Sequence, residues 1–194
     1  MKKIRALVMV LLATAALGFM GCPSPVSGSS GSSSSSDTRT YTVTGTVKVK
    51  IFNNADVPLT VSSITEYDYD LHGYAKTVGS YGQENSIPVN GNKEFEIPCS
   101  NQTSYNVYDG RKEANKTEIN CYCTSGSSVV YPYAGYINGT SVIIYPYGSA
   151  KQKTRGYRFS HPSLELKSSD PDTITVVYNF VKTTGGDYVL CKVE

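Results

Sequence analysis

The sequence predicts an all-β domain, an antiparallel β-sandwich of the Ig-like or Greek-key type, with a small antiparallel β-barrel as the alternative. Three observations predict it. Apolar and polar residues alternate along several short segments, as strands with one buried face require. The turn dipeptides Asn90-Gly91, Asn138-Gly139 and Gly185-Gly186 punctuate these segments. No stretch beyond residue 40 carries the i, i+3, i+4 apolar spacing of an amphipathic helix.

In chain order, the first element is not part of that domain. Lys2, Lys3 and Arg5 precede an apolar run, Ala6 to Phe19, and no acid occurs before Asp37. A basic start, a short apolar stretch and small residues at a cut site describe a secretory signal over 1–21. The run is too short for a comfortable membrane-spanning helix, which takes about 20 residues. Gly21-Cys22 after this run resembles the lipobox of bacterial lipoproteins. That resemblance covers residues 1–22 and implies cleavage before Cys22, acylation (palmitate included) of its thiol and new amino group, and a membrane partner. Pro23 stands where an Asp would imply retention at the inner membrane, so the implied address is the cell outer membrane. Residues 22–39 are rich in Ser and Gly and have almost nothing to bury. Such a coil spans roughly 20–25 Å and serves as a tether.

Residues 40–194 are long enough for one domain with a core of its own. The segment YTVTGTVKVKIF (41–52) places Tyr41, Val43, Val47, Val49 and Ile51 on one face. TITVVYNFV (173–181) and DYVLCKV (187–193) alternate likewise around Gly185-Gly186. EYDYD (66–70) alternates acids with tyrosines and is expected as a solvated strand face. It starts like a calcium loop, but the closing position is Gly79 where a carboxylate is demanded. The chain has no Trp, which excludes both the Cys–Trp–Cys core of true immunoglobulin domains and the Trp signature of lipocalin barrels.

Cys99, Cys121, Cys123 and Cys191 each share strand parity with apolar neighbours, so their thiols are expected to point inward. An even count in an exported chain predicts two disulfides. Cys121 and Cys123 are poor partners for each other. The pairings left open are Cys99–Cys121 with Cys123–Cys191, or Cys99–Cys123 with Cys121–Cys191. A metal site from Cys-x-Cys with His72 or His161 is the rival, without recognisable ligand spacing.

Cleavage would remove three of the 18 basic residues, leaving 15 against 16 acidic ones and a net charge of −1. Nothing there calls for nucleic acid as a partner. No nucleophile elbow, phosphate loop or zinc-protease helix is present, so no catalytic residue, metal or cofactor is expected. The sequons at Asn101, Asn115 and Asn138 carry no weight in a bacterial chain.

Two features point to binding. All sixteen tyrosines lie beyond residue 40, and tyrosine supplies rigid amphipathic contact area. VVYPYAG (129–135) and IIYPYG (143–148) flank Asn138-Gly139 as an expected hairpin. A two-residue Asn-Gly turn pairs Tyr131 with Pro146 and sets Tyr131 and Tyr133 on the face opposite Tyr145 and Tyr147. A three-residue loop would gather all four. Then Lys151, Lys153 and Arg155 recur at period two, with Arg158 nearby and no acid from Thr140 to Ser163. An extended strand would show these cations on one face, fit for an anionic glycan, or simply guarding a sheet edge. The expected function is a non-catalytic binding or adhesion module, tethered by lipid in the bacterial envelope, with an unknown protein or anionic glycan as ligand. The alternatives are a structural or assembly-factor domain of the periplasm docking on a partner protein, and an enzyme whose active site forms only in space.

Overall fold

Two twisted sheets face each other in the computed structural model, which describes residues 38–70, 74–106, 111–162 and 172–193. The signal segment, Cys22, residues 23–37 of the tether and His72 lie outside those residues; Thr38 and Arg39, expected as the end of the tether, already pair with β5 as the start of β1. The strands are β1 (Thr38–Asn53), β2 (Leu59–Asp70), β3 (Ala75–Tyr81), β4 (Asn85–Ile87), β5 (Asn92–Asn106), β6 (Arg111–Ser125) and β7 (Ser128–Val130). They continue as β8 (Tyr133–Asn138), β9 (Ser141–Ile144), β10 (Pro146–Tyr147), β11 (Ala150–Lys151), β12 (Arg158–His161), β13 (Asp172–Lys182) and β14 (Tyr188–Lys192). The first sheet runs β5-β1-β13-β14-β8-β9. The second runs β12-β6-β2-β3, with β4 added to β2 and β7 to β6. Neither sheet closes on itself, so the fold is a β-sandwich and not the alternative barrel.

The alternation expected of 41–52 and 173–181 is what builds the core. Val47, Val49 and Ile51 of β1 pack with Val176, Tyr178 and Phe180 of β13 and with Phe95 and Ile97 of β5. Leu59, Val61 and Ile64 of β2 and Ile119 of β6 face them from the second sheet. Burying each of the larger aliphatic side chains stabilises the fold by about 1.5–3 kcal/mol. The first sheet is mixed where a wholly antiparallel one was expected. β1 pairs parallel with β13, and β14 pairs parallel with β8. Parallel neighbours need a long crossover, and the whole second sheet is built in the stretch of chain between β1 and β13.

Asn90-Gly91 makes a tight turn, with Asn90 at φ 59° and the Gly91 amide donating to the Pro88 carbonyl at 2.9 Å. It is not a hairpin, however, because β4 belongs to one sheet and β5 to the other. Buried Asn53 holds this crossing together. Its amide donates to the carbonyls of Val57 (2.9 Å) and Ile87 (3.0 Å), and its Oδ1 accepts the Ala55 amide at 3.0 Å. Gly185-Gly186 does close the β13–β14 hairpin.

One bulge decides what the second sheet presents. Val61 pairs with Cys121 and Ser63 with Asn120, leaving Ser62 as an extra residue. Inward parity therefore passes from Leu59 and Val61 to Ile64, Glu66 and Asp68. The expected solvated face of 66–70 is thus corrected, because Glu66 and Asp68 are fully buried.

The expected disulfides are also corrected, since Cys99, Cys121, Cys123 and Cys191 are all free buried thiols. Cys99, Cys121 and Cys123 join the main core as parity suggested. Cys191 does not. Tyr188 and Leu190 are the β14 residues in that core, so Cys191 shares the other face with Val189. Both pairings required Cys191 to reach Cys121 or Cys123 across the strand that separates them.

Candidate functional site

The bulge at Ser62 turns two consecutive hydroxyls toward the outer face of the second sheet. They form one wall of a cleft of about 570 Å³ lined also by Glu118, Asn120 and Tyr122 of β6 and by Tyr131 and Arg155. Its polar groups are held in place. Ser62 donates to the Asn120 carbonyl at 3.0 Å, and the Asn120 amide donates to the Ser63 hydroxyl at 3.2 Å. Tyr122 donates to Glu84 at 3.0 Å, and that bond raises the phenol's pKa. Glu118 accepts from Arg158 Nε at 3.3 Å.

Tyr131 and Arg155 meet because the chain after β11 runs antiparallel beside Pro132–Ala134. The Ala134 amide donates to the Gln152 carbonyl (2.8 Å) and the Thr154 amide to the Pro132 carbonyl (2.9 Å), with Tyr133 bridged to Lys153. Buried Thr154 anchors the following turn, its hydroxyl oxygen 3.7 Å from the Cys121 thiol. Gly156, at φ 79°, completes the turn. Lys153 Nζ donates to the Tyr131 carbonyl at 2.8 Å and lies 3.6 Å from the centre of the Tyr133 ring. The Arg155 guanidinium lies 5.8 Å from the centre of the Tyr131 ring. Both distances are those of cation–π contacts.

The expected ligand face is therefore assembled in part. Tyr131, Tyr133, Lys151, Lys153 and Arg155 come together, but not as one side of an extended strand, since β11 ends at Lys151 and a turn follows. Tyr145 and Tyr147 lie elsewhere. The β8–β9 hairpin pairs Asn138 with Ser141, so its two turn residues are Gly139 and Thr140, not Asn138 and Gly139. This register still separates Tyr131 and Tyr133 from Tyr145. Tyr145 stacks inward on Tyr157 with ring centres 4.8 Å apart, whereas Tyr147 is exposed in the β10–β11 ribbon. Arg158 sits on β12, its Nη1 donating to the Tyr69 hydroxyl at 2.8 Å and its guanidinium 4.0 Å from the Tyr67 ring centre. Through Glu118 it borders the cleft. Ser62, Ser63, Asn120 and Tyr122 were not anticipated. Their signal was the step of three between Val61 and Ile64, where a strand steps by two.

A second polar cluster lies inside the sandwich. Glu66 Oε1 accepts the Thr117 hydroxyl at 2.7 Å, and Oε2 lies 2.9 Å from His161 Nε2. His161 Nδ1 lies 2.8 Å from the Pro162 carbonyl. Because a carbonyl only accepts, Nδ1 carries a proton, and one further proton sits between Nε2 and the carboxylate. The pair as a whole is neutral, which is how it tolerates complete burial. Among the described residues the buried Tyr178 hydroxyl makes no hydrogen bond of good geometry, and burial pushes the phenol well above its ordinary range. Both nitrogens of His161 are engaged, and the side chain is sealed from solvent. Among the described residues, no group of three or more His, Cys, Asp or Glu side chains is placed to hold a metal ion.

No protein-family profile matches this chain, and no curated protein matches its sequence.

Proposed function

We infer that residues 40–194 form a non-catalytic binding module carried in a bacterial envelope by acylated Cys22 and the Ser/Gly tether, with the outer membrane as its address. The observation that carries the binding role is Arg155, an exposed cation beside exposed Tyr131 at the edge of a cleft walled by polar side chains, whose one carboxylate, Glu118, is paired with Arg158. Few enclosed polar groups beside an aromatic face suit recognition of a small part of a larger ligand.

Three experiments test the reading. Cys22→Ser should move the protein out of the membrane fraction; continued sedimentation with membranes ends the anchor proposal. Protease shaving of intact against lysed cells then tells outward display from a periplasmic location. For binding, printed glycans and peptides are probed with the wild type and with Ser63→Trp, which fills the cleft. Signals lost in Ser63→Trp support the cleft as the ligand face, and an identical profile in both proteins removes it.

A further inference from the structure

Three cations gather at Tyr131 and Tyr133, yet their charges are not equally open to a ligand. Lys151 is paired with Asp187, which raises the amine's pKa and neutralises it locally. Lys153 is bound to the Tyr131 carbonyl. Arg158, bordering the cleft, is matched by Glu118. Among the described residues, Arg155 alone of these four has neither an ion pair nor a hydrogen bond, its guanidinium lying 5.8 Å from the centre of the Tyr131 ring. With Glu118 of the cleft wall balanced by Arg158, the one unpaired charge among the described residues lining the cleft is the Arg155 guanidinium.

We propose that the cleft binds an acidic saccharide, with a uronate-type carboxylate on the Arg155 guanidinium and ring hydroxyls on Ser62, Ser63 and Asn120. This rests on the binding-module reading and names its ligand. A guanidinium meets a carboxylate through two parallel hydrogen bonds, where a densely sulfated chain wants a row of open cations. Hydroxyl and amide side chains both donate and accept, as sugar hydroxyls do. The exposed face of Tyr131 gives the C–H side of a pyranose ring a flat apolar surface. The cleft is concave, which suits a discrete ring better than a flat bilayer surface.

The test uses the purified full chain in detergent and four probes: trigalacturonate, its carboxyl-reduced counterpart, a heparin oligosaccharide and a triglutamate peptide. Titration calorimetry should show trigalacturonate binding about tenfold or more tighter than the reduced sugar. Arg155→Gln should bring the acidic sugar down to the level of the reduced one, and Ser63→Ala should weaken both. Equal binding of acidic and reduced sugars overturns the carboxylate assignment while leaving a saccharide module standing. Tighter heparin binding that fades steeply with salt overturns it in favour of a diffuse basic surface. Triglutamate binding as well as trigalacturonate overturns the saccharide. No binding of any saccharide overturns the proposal, and the printed array then decides separately whether the module reading survives.

Discussion

Glu66 and His161 meet at 2.9 Å with both side chains sealed from solvent, and a single shared proton keeps the pair neutral. Removing one member leaves the other's polar atoms stranded. His161→Ala should therefore cost about 3–5 kcal/mol in urea unfolding. Glu66→Gln is a finer probe. The amide can donate to Nε2 and still accept from Thr117, so the loss should be no more than about 1.5 kcal/mol. Equal losses in the two variants would show that the shared proton is wrongly placed.

The thiols make a second prediction. Burial pushes Cys99, Cys121 and Cys191 up to about 12 from an ordinary 9.0, and raises Cys123 as well. An unfolded chain releases these protons above about pH 9, whereas the folded chain holds them. Unfolding then releases protons, so stability should fall as pH rises from about 9 toward about 12. In a Cys22→Ser chain at pH 8, a thiol-reactive dye should label nothing natively and four cysteines in guanidinium. No label after denaturation without reductant would mean that disulfides are present.

Gly79 lies where β3 approaches β5. A Cβ there would stand 2.6 Å from the Pro98 carbonyl oxygen and 2.9 Å from Cys99 Sγ. Because backbone must yield, Gly79→Ala should lose about 1–3 kcal/mol, measured by thermal or urea unfolding. An unchanged midpoint would show that the two sheets do not come this close.

Deletions along β2 should behave unequally. Removing Ser62 takes out the bulge but leaves Leu59, Val61, Ile64, Glu66 and Asp68 in one regular alternation. The chain should fold, losing roughly 0.5–3 kcal/mol. Removing Thr65 instead turns Glu66 outward and breaks its pair with His161, for a loss above about 4 kcal/mol. Circular dichroism with urea melts of both deletions checks the contrast; comparable damage would remove the bulge from the account.

Much of this was legible from single segments. The parity of Val47, Val49 and Ile51, of Val176, Tyr178 and Phe180, and of Cys99, Cys121 and Cys123 follows from alternation alone. Alternation sorts side chains between two faces, but it is silent on which strand lies alongside. The parallel pairs β1–β13 and β14–β8 were hidden for that reason. For Cys191 the parity was right and the side was wrong, because Val189 and Leu190 are equally apolar and nothing local says which faces the core. Glu66 and His161 stand 95 positions apart and meet only through the intervening β6. Glu66 looks solvated in the sequence because acids alternate with tyrosines over 66–70, and the step of three from Val61 to Ile64 that turns it inward lies outside that segment.

β1 bears on more than packing. Hydrogen-bonded to β5 from Thr38 to Phe52 and to β13 from Gly45 to Asn53, it begins at the end of the sandwich away from the Asn53 crossing. A pull on Thr38 directed along the strand axis would load both rows of hydrogen bonds at once. Those bonds would have to shear together and could not be peeled one at a time, so β1 is suited to resist tension along its own axis.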